Sequence, residues 1–160
     1  MAALLWEIFS TDLAFVGLDV SDQKELFEAM GGRLEELGYV RDSFIDAVAA
    51  RERRFPTGLD LGDAAVAIPH TDPEHVNENA IAIANLIHPV PFRQMGSTEE
   101  EDCWVQVKLV IMLAISGGNY IDMLQRVIQS IQDPGVVKRL LGARRSEEFI
   151  EIVRKKEEGQ

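Results

Sequence analysis

Three nearly continuous apolar segments constrain the fold more than any other feature of this sequence. They are AAVAI (64–68), AIAIANLI (80–87) and VQVKLVIMLAI (105–115). Apolar runs without strict alternation are typical of central strands that are covered on both faces. The longest uninterrupted run, residues 109–115, is far shorter than the ~20 residues that a membrane-spanning helix needs. The sequence therefore predicts a buried sheet between two layers of helices.

Amphipathic patterns on both sides of these segments predict the helical layers. Asp22 followed by Glu25 indicates a capping box for a helix over residues 22–37, which Gly38 is placed to end. A second helix is predicted over residues 42–53, and FPTGLDLGD after it is predicted to be a loop. The other predicted elements are a short strand over residues 15–18, a helix capped by Asn119, a short helix over residues 136–141 and a last helix starting at Ser146.

The chain shows no internal repeat and no linker rich in proline, glycine or serine. We therefore expect one domain over residues 1–160, of the α/β class (α+β by some definitions), with three layers. A single domain of this length has room for a substantial core.

The charge balance limits the partners of the chain. It has 16 basic and 27 acidic residues, and a formal net charge of −11. Such a surface repels phosphate backbones and anionic headgroups, so we expect no nucleic-acid partner and no direct membrane insertion. A lone cysteine, Cys103, excludes an internal disulfide and fits a reducing compartment. Because the N-terminus also lacks the pattern of a signal peptide, the expected location is the cytoplasm.

Familiar catalytic motifs do not account for this sequence. It contains no GxGxxG, GxxxxGK[ST] or GxSxG segment. His70, Asp72 and His75 form H-x-D-x-x-H, which suggests a metal site, but the spacing crosses a proline-containing loop and two histidines on one regular element are the usual arrangement. We therefore expect no metal and no cofactor. His88 is expected to be an ordinary polar residue at the end of a strand.

His70 is the strongest candidate for chemistry, because it follows the buried strand AAVAI and Pro69. Loops at strand ends of open α/β sheets are where functional sites accumulate, although a structural histidine capping the strand also fits. A neutral imidazole is a competent nucleophile near neutral pH. Phosphoryl transfer needs mainly positioning and charge stabilisation, for which an arginine is well suited. A phosphoryl carrier is therefore a reasonable hypothesis.

The segments ARERRFPTGLDL (50–61) and AIPH (67–70) resemble the fructose/mannitol-type (type 2) enzyme IIA proteins of the bacterial sugar phosphotransferase system (PTS). The galactitol-specific branch is the most similar, since the FPTG segment, the Pro-His pair and a histidine near position 75 recur there together. The similarity continues through AIAIANLIHPVPF, VKLVIMLAI and MLQRVIQSIQDPGVVKRLL, and thus over nearly the whole chain. A Pro-His pair alone is uninformative, whereas this combination is specific.

The resemblance implies both a fold and a role. The family fold is a mixed β-sheet with helices on both faces, in agreement with the predicted layers. Members accept a phosphoryl group from the phosphocarrier protein HPr and pass it to a cysteine of the cognate enzyme IIB, which works with the membrane component IIC. The resemblance places the phosphorylated imidazole at His70, an assisting arginine at Arg51, and Thr57 near the site.

One position departs from the family pattern. Many relatives have a second active-site histidine after the third strand, in an N-H-[LI] context, where this chain has Asn119, Tyr120 and Ile121. A tyrosine hydroxyl can donate a hydrogen bond but cannot become cationic. His75 follows His70 across a turn that could fold it back. We therefore predict His75 as the candidate second histidine and Tyr120 as a secondary donor.

Two other functions stay open at this point. One is a regulatory IIA-like phosphoprotein that is not coupled to transport. The other is a metal-dependent hydrolase built on His70, Asp72 and His75. The transported sugar cannot be read from this chain, because the resemblance places sugar specificity in the membrane component.

Overall fold

The structure, a computed structural model, describes residues 5–159, apart from the side chains of Leu5, Trp6 and Asn119. The described residues form one five-stranded sheet: β1 Phe9–Leu18, β2 Gly58–Asp60, β3 Ala65–Ala67, β4 Ala80–Arg93 and β5 Trp104–Ala114. The α-helices are α1 Gln23–Glu36, α2 Phe44–Arg54, α3 Tyr120–Ile131, α4 Pro134–Leu141 and α5 Ser146–Glu157. Within residues 5–159, no helix has the length and apolar character needed to cross a membrane.

The sheet is mixed, with the strand order β1-β4-β5-β3-β2. β1 is parallel to β4 and β3 is parallel to β5, whereas the β4–β5 and β2–β3 pairs are antiparallel. Because β3 and β5 run in the same direction, their carboxyl ends lie at one edge of the sheet. β2 runs the opposite way, and its first residue, Gly58, lies opposite Ala67 at the end of β3. The segments after β3, after β5 and before β2 therefore meet at this edge.

The predicted three layers are confirmed. α1 and α2 cover one face of the sheet, and α3, α4 and α5 cover the other. In β4, the alanines at positions 80, 82 and 84 face the first layer, while Ile81 and Ile83 face the second. Small alanines leave room for the large side chains of α1 and α2, namely Leu26, Phe27, Met30 and Phe44. Each such fully buried side chain contributes roughly 1.5–3 kcal/mol. The apolar repeat AIAIA therefore presents small side chains to one helical layer and large side chains to the other.

The ends of α1 follow the predicted signals with a shift of one residue. The Glu25 N–H donates to the Asp22 side chain over 2.9 Å, as a capping residue requires. The Glu25 carboxylate accepts from the N–H of Ser21, at 2.7 Å, rather than from that of Asp22. Gly38 has φ of 85°, a left-handed conformation that glycine adopts without strain, and it ends the helix as predicted.

Three predicted boundaries are wrong. The FPTGLDLGD segment is not all loop, since it contains β2, a three-residue strand that is too short to give a pattern and depends on its pairing with β3. β1 begins at Phe9 rather than near residue 15, because this edge strand has exposed polar residues that hide its periodicity. β4 continues past residue 87 to Arg93, beyond a register shift. The predicted Asn119 cap involves a side chain outside those described.

Candidate functional site

His70 lies just beyond β3, at the sheet edge where the three chain segments meet. The backbone before it stays attached to the sheet, since the Leu113 N–H donates to the Pro69 carbonyl over 3.0 Å. The imidazole is 6% exposed, and its Nδ1 lies 2.8 Å from the carbonyl oxygen of Ile68. A carbonyl only accepts, so Nδ1 carries the ring proton and Nε2 keeps its lone pair. The local backbone therefore selects the tautomer in which Nε2 has the free lone pair.

Burial also keeps this imidazole neutral. The pKa of His70 is lowered from 6.5, mainly because the charged ring loses hydration. The bond to Ile68 opposes this shift of the pKa, Arg51 adds to it, and Asp72 opposes it. The net effect is an uncharged ring at neutral pH, which is the form that can attack phosphorus.

Arg51 reaches the site from the last turn of α2. Its Nη1 donates to the Asp72 carboxylate over 3.2 Å, and its guanidinium carbon lies 5.1 Å from the centre of the Phe55 ring. Its Nε is buried and has no hydrogen-bond partner. The salt bridge and the aromatic contact thus orient the guanidinium while leaving one buried N–H unused.

Tyr120 reaches His70 from the opposite layer, as the first residue of α3. The two ring centres are 5.7 Å apart, with the planes tilted by 58°. Burial raises the pKa of the Tyr120 hydroxyl above 10, so the group stays a neutral donor. Its oxygen is buried and has no partner. Among the described side chains, this oxygen and Arg51 Nε are the only buried polar atoms without one.

Thr57 belongs to the site, but its hydrogen-bonding groups are engaged with Glu52. Thr57 is 3% exposed, and both its N–H and its hydroxyl donate to the Glu52 carboxylate, each over 2.7 Å. Glu52 itself is 4% exposed. Burial raises the pKa of Glu52 from 4.5 to about 7, although the two bonds from Thr57 and the charge of Arg51 act in the opposite direction. A buried carboxyl therefore adjoins the site.

A pocket of ≈ 370 Å³ joins Arg51, Thr57 and His70. Its walls include Arg51, Arg54, Phe55, Thr57, His70 and Leu124. A larger groove of ≈ 680 Å³ lies between α4 and α5, where its walls carry exposed charges and no histidine. The smaller pocket is the candidate site, because it holds a neutral imidazole and a guanidinium together.

The other two histidines lie elsewhere. His75 Nδ1 lies 2.8 Å from the Ser43 hydroxyl, just before α2, and its Nε2 is 3.8 Å from the carboxylate of Glu74. His88 is an exposed residue within β4, 3.9 Å from Asp19. In the part of the chain that the structure describes, no group of three or more His, Cys, Asp or Glu residues could hold a metal ion. The H-x-D-x-x-H segment therefore does not form a ligand cluster.

The sequence analysis missed two contributors to this site. Asp72 was considered only as a metal ligand, whereas it holds Arg51. Glu52 had no assigned role, although it adjoins Arg51 in the motif that carries the resemblance. A glutamate within an otherwise basic helix end, ARERR, was the available signal.

Comparisons with known proteins identify the family of this chain. Residues 7–156 match the family model described as "Phosphoenolpyruvate-dependent sugar phosphotransferase system, EIIA 2". The galactitol-specific EIIA component of Escherichia coli K12 is 31% identical over 126 residues, which are 78% of this chain and 81% of that protein. The mannitol-specific enzyme IIA component of Staphylococcus aureus MRSA252 is 31% identical over 147 residues, 91% of this chain and 94% of that one.

Solved structures share the fold. One is the complex of mannitol enzyme IIA with phosphorylated enzyme IIB from Escherichia coli (TM-score 0.74, 23% identity, 91% of this chain and 98% of that chain). Another is the nitrogen regulatory protein IIA-Ntr from Neisseria meningitidis (TM-score 0.69, 20% identity, 94% and 99%). At these identities the likeness concerns the fold alone. The match to the family model over residues 7–156, together with the two relatives at 31% identity, shows that the chain belongs to the EIIA 2 family of the phosphoenolpyruvate-dependent sugar phosphotransferase system.

Proposed function

We propose that His70 is the phosphoryl acceptor of this EIIA component, and that it takes the phosphoryl group from HPr and passes it to a cysteine of a cognate enzyme IIB. One observation carries the proposal: the bond from Nδ1 to the Ile68 carbonyl, which leaves Nε2 as a neutral nucleophile beside an arginine. Family membership makes the protein a phosphotransferase component, and this geometry supports a specific atom for that work.

The transfer conserves atoms and charge over the donor and His70 together. The Nε2 lone pair of His70 forms a bond to phosphorus, and the donor's P–N bond breaks with its electron pair returning to the donor nitrogen. The proton stays on Nδ1 throughout, in its hydrogen bond to the Ile68 carbonyl oxygen. The PO₃ unit adds one net negative charge, spread over oxygens that need donors. The onward step reverses the roles, with the cysteine thiolate of enzyme IIB as the nucleophile.

We propose Arg51 and Tyr120 as the donors for those oxygens. Each holds a buried polar group without a partner, and the two residues approach His70 from opposite layers of the sheet. A guanidinium and a neutral hydroxyl suit a phosphoryl group, the first through charge and the second through a directed hydrogen bond. His75 as the second histidine stays a prediction. Its contacts with Ser43 and Glu74 favour Tyr120 for this role.

The transported compound is proposed to be a sugar alcohol. Two similar proteins are named for galactitol and for mannitol, which are both sugar alcohols. The structure of the similar mannitol protein with phosphorylated enzyme IIB supports an enzyme IIB partner here. A membrane component IIC, a cytoplasmic location and a single domain over all of residues 1–160 stay predictions of the sequence. So does the regulatory alternative, which onward transfer to enzyme IIB would exclude.

The decisive experiment is phosphorylation by ³²P-labelled phospho-HPr, followed by transfer to a purified enzyme IIB of the galactitol or mannitol type. We expect one acid-labile label, lost in His70→Ala and retained in His88→Ala, an exposed histidine that serves as the matched control. Addition of enzyme IIB should then remove the label from His70 and transfer it to enzyme IIB. Label that persists in His70→Ala would overturn the assignment, and label that never moves to enzyme IIB would support the regulatory alternative.

A further inference from the structure

Glu52 is a buried carboxyl group for which the transfer reaction, as written above, has no use. It lies in the last turn of α2, next to Arg51, and it is almost completely removed from solvent. A carboxyl group in such a place needs partners or a proton. Its hydrogen-bond partner among the described residues is Thr57, a residue that lines the pocket of His70.

The two hydrogen bonds from Thr57 join it to Glu52 across residues 53–56, and Phe55 and Thr57 form part of one wall of the pocket. Glu52 Oε2 accepts from the Thr57 N–H and Oε1 accepts from the Thr57 hydroxyl. The next residue, Gly58, packs closely against β4, since a Cβ there would lie 2.7 Å from the Arg93 carbonyl oxygen. These contacts hold the Thr57 hydroxyl beside Glu52, where its hydrogen can change direction without a shift of its oxygen.

That direction depends on the charge of Glu52. While the carboxylate is ionised, the Thr57 hydroxyl donates to it and turns only lone pairs toward the pocket. Lone pairs repel phosphoryl oxygens. When Oε1 carries a proton, it donates to the Thr57 oxygen, and the hydroxyl hydrogen is free to point into the pocket. The bond from the Thr57 N–H to Oε2 is the same in both states.

We propose that Glu52 is a positioning residue for phosphoryl transfer, which takes up one proton from solvent when His70 is phosphorylated and thereby turns the Thr57 hydroxyl toward the phosphoryl oxygens. This inference rests on the function proposed above. The proton is bound as the anionic group arrives, so the added negative charge is partly offset. No other atom changes its bonding, and the proton returns to solvent when the phosphoryl group leaves.

The surroundings of Glu52 favour such an exchange near neutral pH. Its pKa of about 7 means that a small added negative potential shifts the balance toward the protonated form. The charged or titratable groups that line the pocket are Arg51 and Arg54 from α2 and His70 after β3. Next to them lie Tyr120 of α3, beside His70, and Asp72, which pairs with Arg51. The charge of Arg51 favours the ionised form of Glu52, whereas burial favours the protonated form. The negative charge of a phosphoryl group on His70 would favour the protonated form further.

The experiment follows phosphorylation by phospho-HPr between pH 6 and pH 8 in the unaltered protein and in Glu52→Gln. A glutamine amide can donate to the Thr57 oxygen and accept from its N–H, so it mimics the protonated carboxyl at every pH. The same donor is used for both proteins, and its own titration cancels in their ratio. We expect the phosphorylation equilibrium of the unaltered protein to weaken relative to Glu52→Gln by about five-fold from pH 6 to pH 8. Thr57→Ser should keep this pH dependence and Thr57→Val should lose it.

A direct titration gives the second measurement. ¹³C NMR of the glutamate side chains, with the Glu52 signal identified by its loss in Glu52→Gln, should place the Glu52 pKa near 7 and higher once His70 is phosphorylated. A constant ratio between the two proteins, or a Glu52 pKa that does not move on phosphorylation, would overturn the inference while leaving a labelled His70 intact. Failure of the unaltered protein to label His70 would overturn the proposed function and this inference together.

Discussion

The two ends of α2 both carry polar residues, but these residues differ in whether their buried polar groups have partners. At its start, the Ser43 hydroxyl and the His75 imidazole are joined by one hydrogen bond, and neither residue has a buried polar atom without a partner. At its end, ~12 Å away along the helix, Arg51 keeps a buried N–H unpaired and Glu52 is a buried carboxyl with a pKa of about 7. One end is satisfied by its own contacts, and the other is not.

The difference separates two uses of polar groups. A buried donor without a partner costs about 1–3 kcal/mol, and such groups therefore persist where a ligand completes them. The Ser43–His75 pair stabilises the start of α2 and needs nothing more. Around His70, two donors converge without acceptors in the described chain. The unsatisfied end is therefore where a phosphoryl group gains the most, and substitutions at the two ends should have different effects.

The largest effect on transfer, after loss of His70 itself, is expected from Arg51→Lys. Lysine keeps the positive charge but loses the planar fork that can hold Asp72 and a phosphoryl oxygen together. We expect transfer from phospho-HPr to slow by about 10²–10³-fold, since one such donor is worth roughly 3–4 kcal/mol. Rapid-quench kinetics would measure it.

Arg53→Lys is the matched control for this test, because Arg53 is an exposed arginine on the same helix end. It should transfer at the normal rate. Equal rates in both variants would assign Arg51 to holding the helix end, and Arg54, which also lines the pocket, would be the next arginine to test.

The second effect concerns stability and its pH dependence at Glu52. The folded protein holds a proton at Glu52 up to about pH 7, whereas the unfolded chain loses it near pH 4.5. Folded stability therefore falls as pH rises between these values, by about 3 kcal/mol for this group. In Glu52→Gln this part of the fall should disappear, as urea unfolding at pH 5 and pH 8 would show. Glu36→Gln, at an exposed position, should match the unaltered protein. An equally steep fall in Glu52→Gln would mean that Glu52 has an ordinary pKa.

Sequence patterns predicted the centre of the sheet and the candidate histidine, but not the groups that surround this histidine. The apolar runs predicted β3, β4 and β5, and the AIPH segment led to His70 and Arg51, because these signals are local. β2 was missed because three residues carry no period and the strand depends on β3. The burial of Glu52 was missed because it arises only when the end of α2 packs beside Thr57, the residue before β2.

His75 shows the limit of sequence proximity. It follows His70 closely in the chain, so it was expected to fold back toward the same site. The turn Pro73–His75 instead leads to the start of α2, where the Arg41 N–H donates to the His75 carbonyl over 2.9 Å. Tyr120, which is distant in sequence, comes close to His70 because β3 and β5 are parallel and end at the same edge.

A smaller effect is expected from Tyr120→Phe, which removes one hydroxyl and keeps the ring that packs near His70. A hydrogen bond to a charged group contributes about 1.5–3 kcal/mol, so transfer should slow by roughly ten-fold or somewhat more. Tyr39→Phe is the matched control, since Tyr39 packs against the α1 and α2 layer, away from the pocket. The same kinetic assay applies. A normal rate in Tyr120→Phe would leave Arg51 as the main donor and reduce Tyr120 to packing.

The smallest effect on transfer is expected at the satisfied end of α2. His75→Gln and Ser43→Ala each break the bond between these side chains, which is only partly buried. Such a hydrogen bond contributes about 1 kcal/mol to folding, and thermal unfolding should show a loss of that order in either variant. Transfer should remain normal in both, because the contacts of His75 are with Ser43 and Glu74 rather than with the pocket. If His75→Gln slowed transfer more than Tyr120→Phe while Ser43→Ala did not, His75 would be the second histidine after all. The segment Pro73–His75 would then have to move toward His70 during transfer, and the contrast between the two ends of α2 would hold only for the unphosphorylated protein.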